Sequence, residues 1–343
     1  GRSITIFFYD GPISQAVAFE KLLSSGEQFA ERLMSGFSHH RSHPQLVHIA
    51  TDGETYGHHH RFGEMALGHA LNHIEDNSLA RLTNYGEYLE LHPAIHEVQI
   101  IENSSWSCMH GIERWRSDCG CNSGGNNGWN QQWRRPLREA QDWLSGRLAA
   151  CYEDVATGYL KNPWEARDEY IDVLLDRSVE NVAAFLLQHS RRPLDKEATV
   201  AVLCLLEMQR HAMLMYTSCG WFFDELSGVE TVQIIQYAGR AMQLADELCI
   251  QGIEAPFLER LALAGSNIPE HKDGAEIYVK FVKPVMIDLI RVGAHYAVSY
   301  VFQEYGDETD IFSYRAFKED SLILHAGQMG LAVGKIFIRS SIT

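Results

Sequence analysis

The chain has no surplus of basic residues: 29 Lys and Arg stand against 45 Asp and Glu, a formal charge of −16. That balance excludes nucleic acid and anionic membrane as principal partners, since both need a basic face. No apolar run approaches the roughly 18 residues of a membrane span. No secretory leader opens the chain, which begins Gly1-Arg2 without an initiator Met. Cysteines are few and odd in number, 7 in all. Scattered through segments such as Ala201-Val202-Leu203-Cys204-Leu205, most of them read as buried thiols of a reducing compartment, with the cytoplasm as the default. There is no fixed-period repeat, and low complexity is confined to Asn122-Ser123-Gly124-Gly125-Asn126-Asn127-Gly128.

What is present is an ordinary globular composition, 45% hydrophobic and 22% charged over 343 residues. That is enough for a sizeable core and two domains. Residues 1–135 have an α/β rhythm. Ser3–Tyr9, Leu46–Ala50 and Val98–Ile101 read as strands, each ended by polar or Gly-containing punctuation. Amphipathic helical stretches run through Ala16, Phe19, Leu22 and Leu23, from Glu27 to Met34, and from Glu64 to Ile74. From Pro136 the pattern turns helical. Leu137–Leu144, Ala198–Tyr216, Val232–Ile250 and Val279–Phe302 carry apolar residues at three- and four-residue spacing, with Pro284 placed to kink the last. Gly334–Ile338 reads as the start of a further strand, and the whole as a piece of a longer protein. The expected division is 1–135, α/β with a ligand loop, and 136–343, helical.

The densest chemistry follows the Leu46–Ala50 run: Thr51-Asp52-Gly53-Glu54-Thr55-Tyr56-Gly57-His58-His59-His60. Carboxyl ends of strands collect functional groups in α/β folds. Asp52 and Glu54, two apart on an extended segment, project to one side. Such a pair suits glycoside hydrolysis, which needs a proton-donating carboxyl and an ionised partner. The blander reading makes Asp52 a cap and pairs Glu54 with Arg61. His58, His59 and His60 offer metal ligands, or hydrogen bonds to hydroxyls. Further on, Ser104–Trp115 leads through His110 into Cys119-Gly120-Cys121, with Trp129 and Trp133 just beyond. Indoles there suit stacking on sugar rings or packing between domains. Cys108, His110, Cys119 and Cys121 are also zinc donors, at a spacing outside the strong knuckle patterns. Met213–Glu225 is an aromatic break between helices, with Asp224 or Glu225 at a cleft rim or inside a packed corner.

Asp52-Gly53-Glu54-Thr55-Tyr56-Gly57-His58 resembles a signature region of family 57 of the glycoside hydrolases, and Ser105–Trp115 looks like its substrate-binding region. The stretch from Ser104 to Asp224 looks closer to a bacterial subgroup carrying a helical domain of unknown function. The resemblance implies an α/β fold, the C-terminal part of an incomplete (β/α)7-type barrel, followed by an all-α domain. It implies a retaining hydrolase or glucanotransferase acting on α-glucans, without a cofactor, whose partner is an oligo- or polysaccharide. Asp52 becomes the general acid/base, its pKa raised by burial or by Glu54. Glu54, His58, Trp106, His110, Trp115 and Asp10 become the substrate-binding set. The nucleophile is expected upstream of Gly1, because Asp10 does not match its motif. Two rivals are a metal-dependent hydrolase using Asp52 with His58 or His60, and a non-catalytic glycan- or protein-binding module.

Overall fold

The computed structural model describes residues 3–303, 305–327 and 329–343. These fall into two units, Gly1–Ile100 and Ile101–Thr343.

In the first unit, helix α1 (Gly11–Phe19) starts at Asp10, whose Oδ1 accepts the Ile13 N–H at 2.8 Å. An oxygen there satisfies one of the N–H groups that a helix start leaves open. Ser25 and Asn84 do the same for α2 (Gly26–Met34) and α4 (Tyr85–Leu91), while α3 (Gly63–Asp76) lies between them. A small core of Val17, Leu23, Phe29, Ala66, Ala70 and Ile74 joins α1, α2 and α3. The three expected strands are not formed. Ser3–Tyr9 and Leu46–Ala50 run as unpaired chain, tied to their surroundings by Asp10 N–H to the His48 carbonyl (2.8 Å) and Ala50 N–H to Ser14 Oγ (3.1 Å). Val98–Ile101 is likewise unpaired, with Ile100 and Ile101 exposed. An apolar run favours an extended backbone, but a strand exists only when a neighbour takes up its hydrogen bonds.

The second unit is helical up to residue 300: α5 (Arg134–Ala156), α6 (Pro163–Glu169), α7 (Ile171–Leu175), α8 (Val179–His189), α9 (Lys196–Leu214), α10 (Val229–Leu248), α11 (Glu254–Leu261), α12 (Gly274–Ile277) and α13 (Leu289–Tyr300). The periodic runs expected to be helices from 137, 198 and 232 onward are α5, α9 and α10. These three pack on one another through Leu144, Leu148, Val202, Leu206, Ile235 and Ala238, all fully buried. Pro284 breaks the last expected helix rather than kinking it. A π-helical turn (Tyr278–Val282) and a 3-10 turn (Lys283–Val285) precede a restart at α13, capped by Asp288. Proline has no N–H to continue the ladder.

Cys151 on α5 and Cys249, just after α10, form a disulfide with their Cα atoms 6.2 Å apart. The other five described cysteines are free. Closing a separation of 98 residues constrains the unfolded chain strongly. Reduction, or Cys151→Ser, is expected to lower unfolding stability by about 2–4 kcal/mol, read from the urea midpoint together with a steeper slope, because the released unfolded chain exposes more surface. Equal midpoints with and without reductant would show that the bond adds nothing.

The sheet comes last. Strands β1 (Glu308–Ile311), β2 (Tyr314–Ala326) and β3 (Met329–Ser340) form an open antiparallel meander, with Gly334–Ile338 inside β3. The expected fold class is therefore corrected. Helices run from residue 11 to 300 and a small antiparallel sheet follows them. Among the described residues there is no ladder of parallel strands, and so no barrel or part of one. No described helix is long and apolar enough to cross a membrane.

Candidate metal centre

Cys108, His110, Cys119 and Cys121 converge in the loop that precedes α5, with one ligand atom of each within 4.8 Å of all the others. Cys108 Sγ lies 3.9 Å from Cys119 Sγ and 3.8 Å from Cys121 Sγ, and Cys121 Sγ lies 3.5 Å from His110 Nδ1. A tetrahedral zinc ion, with Zn–S near 2.3 Å and Zn–N near 2.0 Å, sets its sulfurs about 3.8 Å apart and sulfur and nitrogen about 3.5 Å apart. Three of the six donor–donor edges already have those lengths, and the other three lie within 4.8 Å.

Local chain chemistry brings them there. The turn between Cys108 and Arg114 closes on Gly111, at φ +82°, where a Cβ would stand 2.3 Å from the Asn103 carbonyl oxygen. Ser105 Oγ donates to the Gly111 carbonyl at 2.7 Å and reinforces that closure. Gly120, at φ +77°, turns the chain between Cys119 and Cys121, and glycine takes that conformation without steric cost. Burial pushes the Cys108 thiol up. The backbone N–H groups of Arg114 and His110 and the thiols of Cys121 and Cys119 outweigh it, bringing the group down to about 7. Burial raises the Cys119 thiol.

Two buried guanidiniums back the loop, Arg114 (5% exposed) and Arg134 (0%). Arg134 Nη1 donates to the Cys121 carbonyl at 2.8 Å, and both arginines donate to the Phe222 carbonyl. Arg114 also lies 4.3 Å from the centre of the Phe222 ring. Burial, with Arg114 as a like-charged neighbour, lowers the Arg134 pKa; the cysteines at 119 and 121 and Asp224 oppose this. Asp224 accepts from Ser123 N–H (2.9 Å) and Ser123 Oγ (2.5 Å). Three thiolates around a divalent ion carry one net negative charge. Such a centre, together with Asp224, would offset the two arginines, whereas buried like charges left alone are costly.

The residues singled out from the sequence are scattered. His110 joins the cluster; Trp106 is 78% exposed and lies 6.1 Å from the Phe222 ring. Trp115 packs on the helical core and donates its indole N–H to the Ser218 carbonyl at 3.0 Å. Asp224 and Glu225 are both bonded inside a buried corner, Glu225 accepting from Ser266 Oγ and from Asn267 N–H at 2.9 Å. In the first unit Asp10 is a helix cap. Asp52, Glu54 and His58 are exposed, and Asp52 starts a 3-10 turn without a side-chain cap bond. The sequence named all four metal donors but gave no sign of Arg114 and Arg134 as their buried backing.

A family model described as a domain of unknown function, DUF3536, matches residues 129–343. The chain belongs to that family. No curated protein and no solved structure matches the chain. The resemblance to glycoside hydrolase family 57 is thus corrected, and so is the activity drawn from it. A retaining glycosidase or glucanotransferase with Asp52 as acid/base needs the barrel that the described residues lack. The metal-dependent hydrolase on a related barrel, with Asp52 and His58 or His60, lapses with it, as does the module built on a barrel remnant. The DUF3536 match begins after the cysteine cluster and takes in Arg134, its buried neighbour.

Proposed function

We propose that the chain is a zinc-binding protein in which Cys108, His110, Cys119 and Cys121 hold one structural Zn²⁺. The observation that carries this is the set of three inter-ligand distances, 3.9, 3.8 and 3.5 Å, which match three of the six edges of a Cys₃His tetrahedron, with all four donors within 4.8 Å of one another. Four protein donors fill the coordination sphere and leave no open position for a substrate, so the ion's role is to fasten the loop to the helical unit. Sulfur-rich tetrahedral sets favour zinc over harder ions. Three cysteines kept as thiols suit a reducing compartment such as the cytoplasm, whereas the Cys151–Cys249 disulfide is a bond that oxidising compartments preserve. Purified protein is expected to carry one zinc per chain by elemental analysis, with X-ray absorption showing three sulfur and one nitrogen neighbours. Cys119→Ser should remove it. Substoichiometric metal in both the purified and the zinc-supplemented protein would falsify the assignment.

A further inference from the structure

A cavity of about 920 Å³ opens between α7, α8, α9 and the last residues of the chain. Its lining includes Lys161, Arg177, Arg191, Arg192, Arg315 and Arg339, and no Asp or Glu. In a chain with 45 acidic and 29 basic side chains, a random patch of this size would be mostly acidic. Arg177 is paired with Glu207 and Arg315 with Asp310, which leaves Lys161, Arg191, Arg192 and Arg339 without a carboxylate partner among the described residues, a cationic wall in an otherwise negative protein.

Two further observations indicate where an anion would sit. Arg315 and Arg339 stand directly opposite each other in the β2–β3 register, an arrangement in which like charges repel. Arg315 is paired with Asp310, whereas neither Arg339 nor Arg192 has a side-chain partner among the described residues. Ser190, 6% exposed, lines the same cavity, and its Oγ is buried with no hydrogen-bond partner. Ser190 is held in place by a bridge to Leu160, and the adjacent Arg191 Nε donates to the Leu160 carbonyl at 2.8 Å. The remaining wall is apolar: Val173, Leu186 and Leu203 are buried, and Val179 and Leu187 are exposed at 78% and 76%.

We infer that this cavity binds an anionic amphiphile, a phosphate or carboxylate head on the cations, and an alkyl or acyl body along the α8–α9 wall. A charge-assisted bidentate contact from an unpaired guanidinium suits such a head. The volume lies within the range of small-molecule sites, roughly 300–1,000 Å³. None of the lining comes from the metal loop, so this inference stands apart from the zinc assignment.

The probe is dodecyl phosphate below its micellar concentration, titrated calorimetrically into the full chain, with dodecanol and inorganic phosphate as separate arms. Saturable one-to-one binding of dodecyl phosphate is expected, at least tenfold tighter than either arm. Arg192→Glu and Arg339→Glu, both on exposed side chains, should each weaken it tenfold or more with zinc content and helicity unchanged. Ala183→Trp, on the cavity wall, should weaken it by blocking the space. Affinity unchanged by both charge reversals, or dodecanol binding as tightly as the phosphate ester, would overturn the anionic head. Inorganic phosphate binding equally well would overturn the amphiphile.

Discussion

Cys119→Ser, or stripping the metal with a chelator, is expected to lower the stability of the Ile101–Thr343 unit by about 3–5 kcal/mol. Structural zinc contributes directly to folding free energy. Here its loss has a second effect, because Arg114 and Arg134 would be left buried without the thiolate charge, with Asp224, bonded to Ser123, as a remaining carboxylate near Arg134. His110→Ala should act in the same direction. Met109→Ala, between two ligands but 90% exposed, should leave both metal content and stability unchanged. Urea unfolding with zinc measured on the same samples separates the cases. A Cys119→Ser protein that loses zinc yet unfolds within 1 kcal/mol of the parent would show that the loop is an ornament to the helical core.

The second large effect centres on Glu207, on α9. It is 3% exposed, and its Oε1 accepts from Tyr170 Oη at 2.8 Å and Arg177 Nη2 at 2.6 Å. Arg210 Nη1 donates to Oε2 at 3.2 Å. Burial acts to raise the Glu207 carboxyl, but the bonds from Arg177 and Tyr170 prevail and hold it below the usual carboxylate range. Glu207→Ala would leave Arg177 part-buried without its counter-charge and Tyr170 without its acceptor, so a loss of about 3–5 kcal/mol is expected. Glu207→Gln, which keeps the acceptor oxygen, should lose less.

The same cluster makes the protein acid-sensitive. Burial, with Arg210 and Arg240 adding to it and Glu207 opposing, brings His211 down from 6.5 to about 4. Its 4.0 Å approach to Glu207 is therefore no ion pair at neutral pH. A depressed folded pKa means that the unfolded chain takes up the proton first. Stability is then whole above pH 6.5 and falls through the window from 6.5 to about 4, by an amount on the order of 3 kcal/mol. Glu207 adds a further loss as pH falls below its ordinary carboxylate value, until its lowered folded pKa is passed. His211→Leu should flatten the upper part of this curve in pH-dependent urea midpoints. A parent profile flat from pH 7 to 4.5 would contradict the buried neutral imidazole.

The helices were largely legible because their signal is local. The apolar spacing of Ala198–Tyr216 and Val232–Ile250 gives the buried faces of α9 and α10, whereas the caps at Asp10, Ser25, Asp195 and Asp288 are known from the structure alone. The strands failed in both directions. Ser3–Tyr9 has the composition of a strand without a partner, while β2 spans thirteen residues with a register shift at Lys318-Glu319-Asp320 and no clean alternation of burial. Pairing is settled by distant chain, which a local pattern does not report. The metal donors were visible as residue types. Their convergence depended on a backbone fold at Gly111 and Gly120 that the unfamiliar spacing gave no reason to expect. The density of titratable groups at Asp52–His60 drew attention to a turn that carries them at the surface.

The Cys151–Cys249 bond has a topological corollary. Residues 151 to 249 form a covalent ring that holds the last six residues of α5 and all of α6 to α10. One protease cut at any peptide bond inside that ring leaves both products joined, so an unreduced gel will show an intact chain where a reduced one shows two fragments.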